Sequence, residues 1–292
     1  MSNIRDLNRK IHSLRNMQKV MSAMNMIASI KLRKLTRLQD SLITFSDSLK
    51  VMRENIMTTL HHKKEPIIYG YKTIKKIHVI ILTADKGLCG SHNNSIRKMA
   101  DAILVKYGGD NQTFEFTCVG TKGINFCKTK QLDIVAQSPI HESIFTMDKL
   151  KSFSDRIFHS FYEGKNQLVL LLYNQFHSTI QQTPVISQLL PLSPNHETEE
   201  TASINKYAGY TEPKEKKFLP QAARLYLSYS FQAALYHSLI SEQAARMTAM
   251  ENATNNSEDL INRYGRARNR ARQASITNEL IEIISGKEAM KG

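Results

Sequence analysis

The chain has 292 residues, enough for one large domain or two smaller ones, and 41% of them are hydrophobic, enough for a sizeable core. A formal charge of +14 points to an acidic partner: a nucleic acid, an anionic membrane surface or another protein's carboxylates. Cys89, Cys118 and Cys127 are odd in number and none falls in a Cys-x-x-Cys pair, so they are expected as reduced thiols and not as a zinc site or disulfide framework. The opening Met1-Ser2-Asn3-Ile4-Arg5-Asp6 has no apolar signal core, and no run approaches the roughly 20 apolar residues of a membrane span.

From Met1 to Glu65 there is neither Gly nor Pro, which predicts one long helix, begun by Asn3 with Asp6 and stopped by Pro66. Its apolar positions, Ile4, Leu7, Ile11, Leu14, Met17, Met21, Met24, Ala28 and Leu32 onward, recur at about 3.5 residues, the coiled-coil period. Arg5, Arg9, Lys10, Lys19, Arg33 and Lys34 occupy much of the rest, so the stripe is narrow and suits a single partner helix. Met17, Met21, Met24 and Met26 read either as core filler or as an adaptable contact surface.

The middle of the chain changes period. Residues 77–82, 114–119, 132–135 and 168–173 are short β-rich runs, separated in part by helical patterns at Ile96–Tyr107 and Met147–Tyr162. That alternation predicts a small α/β domain with a largely parallel sheet. Asp85-Lys86-Gly87-Leu88-Cys89-Gly90 follows a strand and precedes a helix, where a phosphate could sit. It matches neither phosphate-binding Gly pattern, so a structural turn is the expectation, as it is for Thr121-Lys122-Gly123. His61, His62 and His78 have no Cys or carboxylate at ligand spacing, and no Ser lies in a Gly-x-Ser-x-Gly elbow, so no catalytic group, cofactor site or metal site is expected.

Pro191 to Pro213 reads as a surface linker, and a second helix is predicted from near Pro220 to Ser285, interrupted only by Gly265. Its stripe of Ala253, Ser257, Leu260, Tyr264, Ala267, Ala271, Ala274, Ile281 and Ile284 keeps heptad spacing with small residues, which allows close helix approach. Two such helices at opposite ends of the chain suggest an antiparallel pair. Beside the stripe stand Arg263, Arg266, Arg268, Arg270 and Arg272, either a solvated face or a docking surface for acidic loops. The single aromatic residue among them, Tyr264, belongs to the stripe, so they lack the series of rings that a nucleic-acid stacking platform would require.

The residues also resemble a family. Ile4-Arg5-Asp6, Ala23-Met24, Met26-Ile27-Ala28 and Lys31-Leu32-Arg33-Lys34, then Thr83-Ala84-Asp85-Lys86-Gly87-Leu88-Cys89-Gly90 and Tyr173-Asn174-Gln175-Phe176, are similar to the gamma subunits of F-type ATP synthases. So, most specifically, are Ser241-Glu242, Ala244-Ala245-Arg246-Met247, Arg272-Gln273-Ala274, Ile276-Thr277 and Glu279-Leu280. Two positions depart from the family pattern: Lys287 after Gly286, where a small residue is usual, and Ser91 after Cys89-Gly90, where a second Gly is common.

The resemblance implies an α+β chain: a long antiparallel coiled coil from 1–65 and 213–292, and a small Rossmann-like α/β domain with its linker at 66–212. It implies a non-catalytic rotor, present once per complex and without a cofactor, inside a ring of alpha and beta subunits. The α/β domain would meet the epsilon subunit and the membrane c-ring, on the cytoplasmic face of a bacterial plasma membrane, and the shaft would couple ion flow to ATP chemistry and regulate both. By the same resemblance Arg272, Gln273, Thr277, Arg268, Met24 and Lys31 would face the beta subunits' catch loops, and Ile283, Ile284 and Met290 would form the tip in its bearing.

Overall fold

The computed structural model describes residues 4–37, 47–49, 51–54, 66–109, 112–139, 147–192 and 215–289. They form helix α1 (Ile4–Thr36), the short α2 (Pro66–Tyr69), β1 (Lys76–Leu82), α3 (His92–Tyr107), β2 (Thr113–Val119), α4 (Thr121–Thr129), β3 (Ile134–Ser138), α5 (Met147–Tyr162), β4 (Leu168–Phe176), β5 (Gln182–Leu190) and α6 (Glu215–Ala289). The chain divides into two compact units, one of Met1–Ser29 with Arg246–Gly292, the other of Ile30–Ala245.

In the larger unit the strands lie in the order β3-β2-β1-β4-β5, parallel except for β5, which runs antiparallel to β4. β1 is buried at every position after Lys76, the mark of a strand covered on both faces. Ile77, Val79, Ile81, Phe116, Leu168, Leu170 and Leu172 point to one face and pack against Ile96, Ala100 and Ile103 of α3 and Phe126 of α4. Ile80, Leu82, Val119, Val169 and Leu171 point to the other and meet Leu150, Ile157 and Phe161 of α5 and Ala223, Leu227 and Phe231 of α6. Burying one such side chain stabilises by roughly 1.5–3 kcal/mol, and the period-2 alternation of the strands decides which face each one joins.

Two elements differ from the sequence reading. Thr121-Lys122-Gly123 is the first turn of α4, and Gly123 is buried there because its N–H donates to Thr83 Oγ1 at 2.8 Å, an approach that a side chain would obstruct. β5 is a nine-residue edge strand that carries Pro184; the edge position tolerates a residue without an N–H.

The smaller unit is a pair of antiparallel helical segments, from α1 and from the last part of α6. Its seam runs through Leu7, Ile11, Leu14, Gln18, Met21, Asn25 and Ala28 on α1, and through Met250, Thr254, Ser257, Ile261, Tyr264, Arg268, Ala271 and Ser275 on α6, with Ser29, Ala253 and Gly265 half-buried beside it. Both sets alternate threes and fours without exception, the seam of a coiled coil. Met17 and Met24, read from the sequence as stripe residues, are 54% and 37% exposed; Gln18 and Asn25 hold the seam in their place. Leu260, Ala267 and Ala274 are likewise exposed, one step from Ile261, Arg268 and Ser275. Heptad geometry outranked hydrophobicity at these positions. The first helix is described without a break to Thr36, and its predicted continuation to Glu65 lies largely outside the described residues.

Candidate functional site

In an open α/β sheet a ligand is expected at the carboxyl ends of the strands where the order reverses, here between β1 and β4. The chain's own side chains fill that place. Asn174 of β4, 2% exposed, donates from Nδ2 to the His92 carbonyl at 2.9 Å and accepts from Ser95 Oγ at 3.0 Å. Ser241 of α6 donates to the Asn174 carbonyl at 3.0 Å, tying the helix to the strand end. On the loop after β1, Asp85 Oδ1 accepts from both the N–H and the hydroxyl of Thr121, at 2.8 and 2.9 Å, so a carboxylate caps the start of α4 where a phosphate could have bound. Asn93 accepts from the Ala84 N–H at 2.9 Å, bracing the same loop from the other side. Gly120, at φ 100°, lets β2 turn into α4 directly against the Thr83 carbonyl, which would lie 2.0 Å from a Cβ.

His78, 6% exposed, shares a 2.8 Å hydrogen bond with Thr117 Oγ1 through Nε2, while its Nδ1 is buried with no hydrogen-bond partner among the described residues. Burial depresses its pKa to about 4; the Lys76 charge adds to the depression and the Glu115 carboxylate opposes it. It is a neutral core histidine and not a general base. Among the described residues no group of three or more His, Cys, Asp or Glu is placed to hold a metal ion.

The surface of the helix pair is different in kind. Arg263, Arg266, Arg270, Arg272, Gln273 and Thr277 are exposed along α6, and Arg268 is half-buried, with its guanidinium 3.2 Å from Asn269 Oδ1. The Thr277 hydroxyl turns back to the Gln273 carbonyl at 3.0 Å. From Ile276 to Lys287 every position is exposed, including Leu280, Ile281, Ile283 and Ile284, the last two at 67% and 59%. On α1, Met24, Met26, Ile27, Ile30 and Lys31 are exposed too. Met24 belongs to the smaller unit and Lys31 to the larger, and Met290 lies outside the described residues. Bare apolar side chains in this number, interleaved with guanidiniums, are uncommon on a helix that has no further partner.

A family model described as ATP synthase matches residues 3–290. An ATP synthase gamma chain of Nitratiruptor is 34% identical over 303 residues, covering 100% of both chains, and one of Methylobacterium nodulans is 30% identical over 296 residues, covering 99% of this chain and 100% of its own. The chain belongs to the ATP synthase gamma chain family. Solved structures share its fold. A chain of the Euglena gracilis mitochondrial ATP synthase OSCP/F1/c-ring assembly superposes with a TM-score of 0.69 at 17% identity, over 98% of this chain and 94% of its own. A chain from the Tetrahymena thermophila mitochondrial central stalk and c-ring gives 0.59 at 23% identity, over 80% and 99%. The structure also adds to this surface one residue that the sequence did not single out. Arg15 of α1 meets Arg266 and Arg268 of α6 around one notch, a convergence across two helices that no local spacing can reveal.

Proposed function

We propose that the chain is the rotating central shaft of an F-type ATP synthase. The observation that carries this reading is the helix pair's outward face, where exposed apolar side chains alternate with guanidiniums in a chain of the gamma family. The pair, with segments 1–65 and 213–292, stands inside the ring of alpha and beta subunits. Arg272, Gln273, Thr277, Arg268, Met24 and Lys31 face the beta subunits' acidic loops, and Ile283, Ile284 and Met290 sit in the apolar bearing. The α/β domain, within 66–212, meets the epsilon subunit and the c-ring at the cytoplasmic face of a bacterial plasma membrane. Among the described residues no helix is long and apolar enough to cross a membrane, so attachment there is through these partners.

The shaft performs no catalysis itself; one copy serves the whole ring. It drives and regulates the catalytic sites by offering each a different face, since a partner shifts a conformational equilibrium only through its differential contacts. Swinging one site from 1:99 to 99:1 takes about 5.5 kcal/mol, whereas an exposed ion pair contributes roughly 0–1 kcal/mol. The drive is therefore spread over apolar packing and several Arg and Lys contacts. Co-purification tests the reading: tagged chain should recover a stable, ATP-hydrolysing complex with alpha and beta subunits, and recovery of a lone monomer would refute it.

A further inference from the structure

A cavity of about 460 Å³ opens within the larger unit, in the size range of small-molecule sites. Residues of the helical stretches 47–49 and 51–54, of β4 and of α6 line it, and Leu49 anchors the first of these to the core. Its floor is apolar, made by the buried Leu171, Phe176, Ala233 and Ala234. Above the floor stand Arg53, Tyr173, Tyr226, Ser230 and His237. These polar groups have nothing in the chain to bond. Tyr226 is only 7% exposed, yet among the described residues its hydroxyl makes no hydrogen bond, and neither does the Tyr173 hydroxyl, the Ser230 hydroxyl or the Arg53 guanidinium. His237 Nδ1 is likewise enclosed without a hydrogen-bond partner among the described residues, its ring 6.2 Å from that of Tyr173. A donor taken out of water without a new acceptor costs free energy, which a bound acceptor restores. All of these groups can donate, and Arg53 alone among them is permanently charged. Burial, then the His177 charge, holds the His237 pKa below its ordinary value, so its ring is a neutral donor. His177 itself already shares a 2.7 Å hydrogen bond with Thr183 Oγ1, and the one carboxylate on the wall, Asp47, is exposed.

We infer that this cavity binds a small organic acid, a flat apolar body carrying one carboxylate. The carboxylate takes the fork of Arg53 in bidentate fashion and accepts from the unbonded hydroxyls, while the body lies on the apolar floor against the Tyr173 and Tyr226 rings. A polyphosphate suits the site poorly, because a single guanidinium faces it, and a cation would be repelled by that same charge. The bound acid touches the 51–54 stretch, β4 and α6 together, so it ties these elements to one another and stabilises the larger unit by mass action. The inference stands apart from the shaft reading and does not depend on it.

Calorimetric titration of the full chain tests it, with naphthoate as the probe and naphthalenemethanol as the uncharged molecule of the same ring system. The variants are Arg53→Gln, which removes the charge, and Ser230→Phe, which fills the cavity. Naphthoate should bind the wild type saturably and one to one. The alcohol should bind the wild type, and naphthoate should bind Arg53→Gln, about tenfold more weakly, the loss expected for one charge-assisted pair. Ser230→Phe should not bind naphthoate while keeping the wild-type circular dichroism spectrum. If Ser230→Phe unfolds, Arg53→Gln decides alone, since its side chain is only half-buried. Absence of saturable naphthoate binding to the wild type, or equal affinity of the wild type and Arg53→Gln, would overturn the inference and leave the shaft reading intact. Displacement of naphthoate by an equal concentration of inorganic phosphate would assign the cavity to a bare anion and overturn the organic acid.

Discussion

Lowering the pH should destabilise the larger unit through His78. The ring is neutral in the fold, its Nε2 bonded to Thr117 and its Nδ1 enclosed with no acceptor to receive a second proton. A folded-state pKa of about 4, against an ordinary value near 6.5, means that both states are neutral above pH 7 and the stability is fully present there. As pH falls below about 6.5 the unfolded chain takes up a proton that the fold refuses, and the stability is lost progressively as the folded pKa is approached. Between pH 7 and pH 4 the gap of roughly 2.5 units removes about 3 kcal/mol at about 1.4 kcal/mol per unit. His237, half-buried and depressed by burial and by the His177 charge, acts in the same direction. Urea unfolding followed by circular dichroism should therefore give His78→Gln, which cannot titrate, a pH-dependent loss about 3 kcal/mol smaller than that of wild type over this window. Parallel curves for the two proteins would show that His78 titrates normally and would refute this account of its burial.

Three further outcomes are expected. Arg272→Ala should weaken ATP-driven ion pumping while leaving the circular dichroism spectrum unchanged, because the residue is exposed; loss of the helical signal would contradict its placement on the surface. Gly120→Ala should cost about 3 kcal/mol or more, since φ is 100° and the new Cβ would lie 2.0 Å from the Thr83 carbonyl, and an unchanged urea midpoint would rule that contact out. Cys118 and Cys127 are buried with their sulfurs 3.4 Å apart, and their mutual hydrogen bond, then burial, pushes the Cys118 thiol well above its ordinary range. At pH 8 neither should react with a disulfide reagent in the folded chain, whereas both should on unfolding; rapid labelling of the folded protein would contradict the buried pair.

The long elements were legible because periodicity is a property of many residues at once. The helices at 96–107 and 147–162 and the strands at 77–82, 114–119 and 168–173 all fall within observed elements. The errors came where one local signal outweighed the geometry. Hydrophobicity drew the seam to Met17 and Met24, though an unbroken alternation of threes and fours passes through Gln18 and Asn25. A Gly three residues into α4 resembled a turn, since nothing in the sequence announces that Thr83, forty positions earlier, supplies its partner. Pro184 disguised β5, whose edge position is a fact of topology and not of composition. For the same reason the exposed Arg run could be read directly, whereas Arg15 joins it only when two helices meet.

Rotation is the claim on which the rest depends, and it can be watched directly. With the alpha and beta ring fixed to a surface and a probe attached to the α/β domain, for example on exposed Val105, ATP should drive the probe in one direction in repeated steps. A probe that stays still while the same complexes hydrolyse ATP and pump ions would contradict the account.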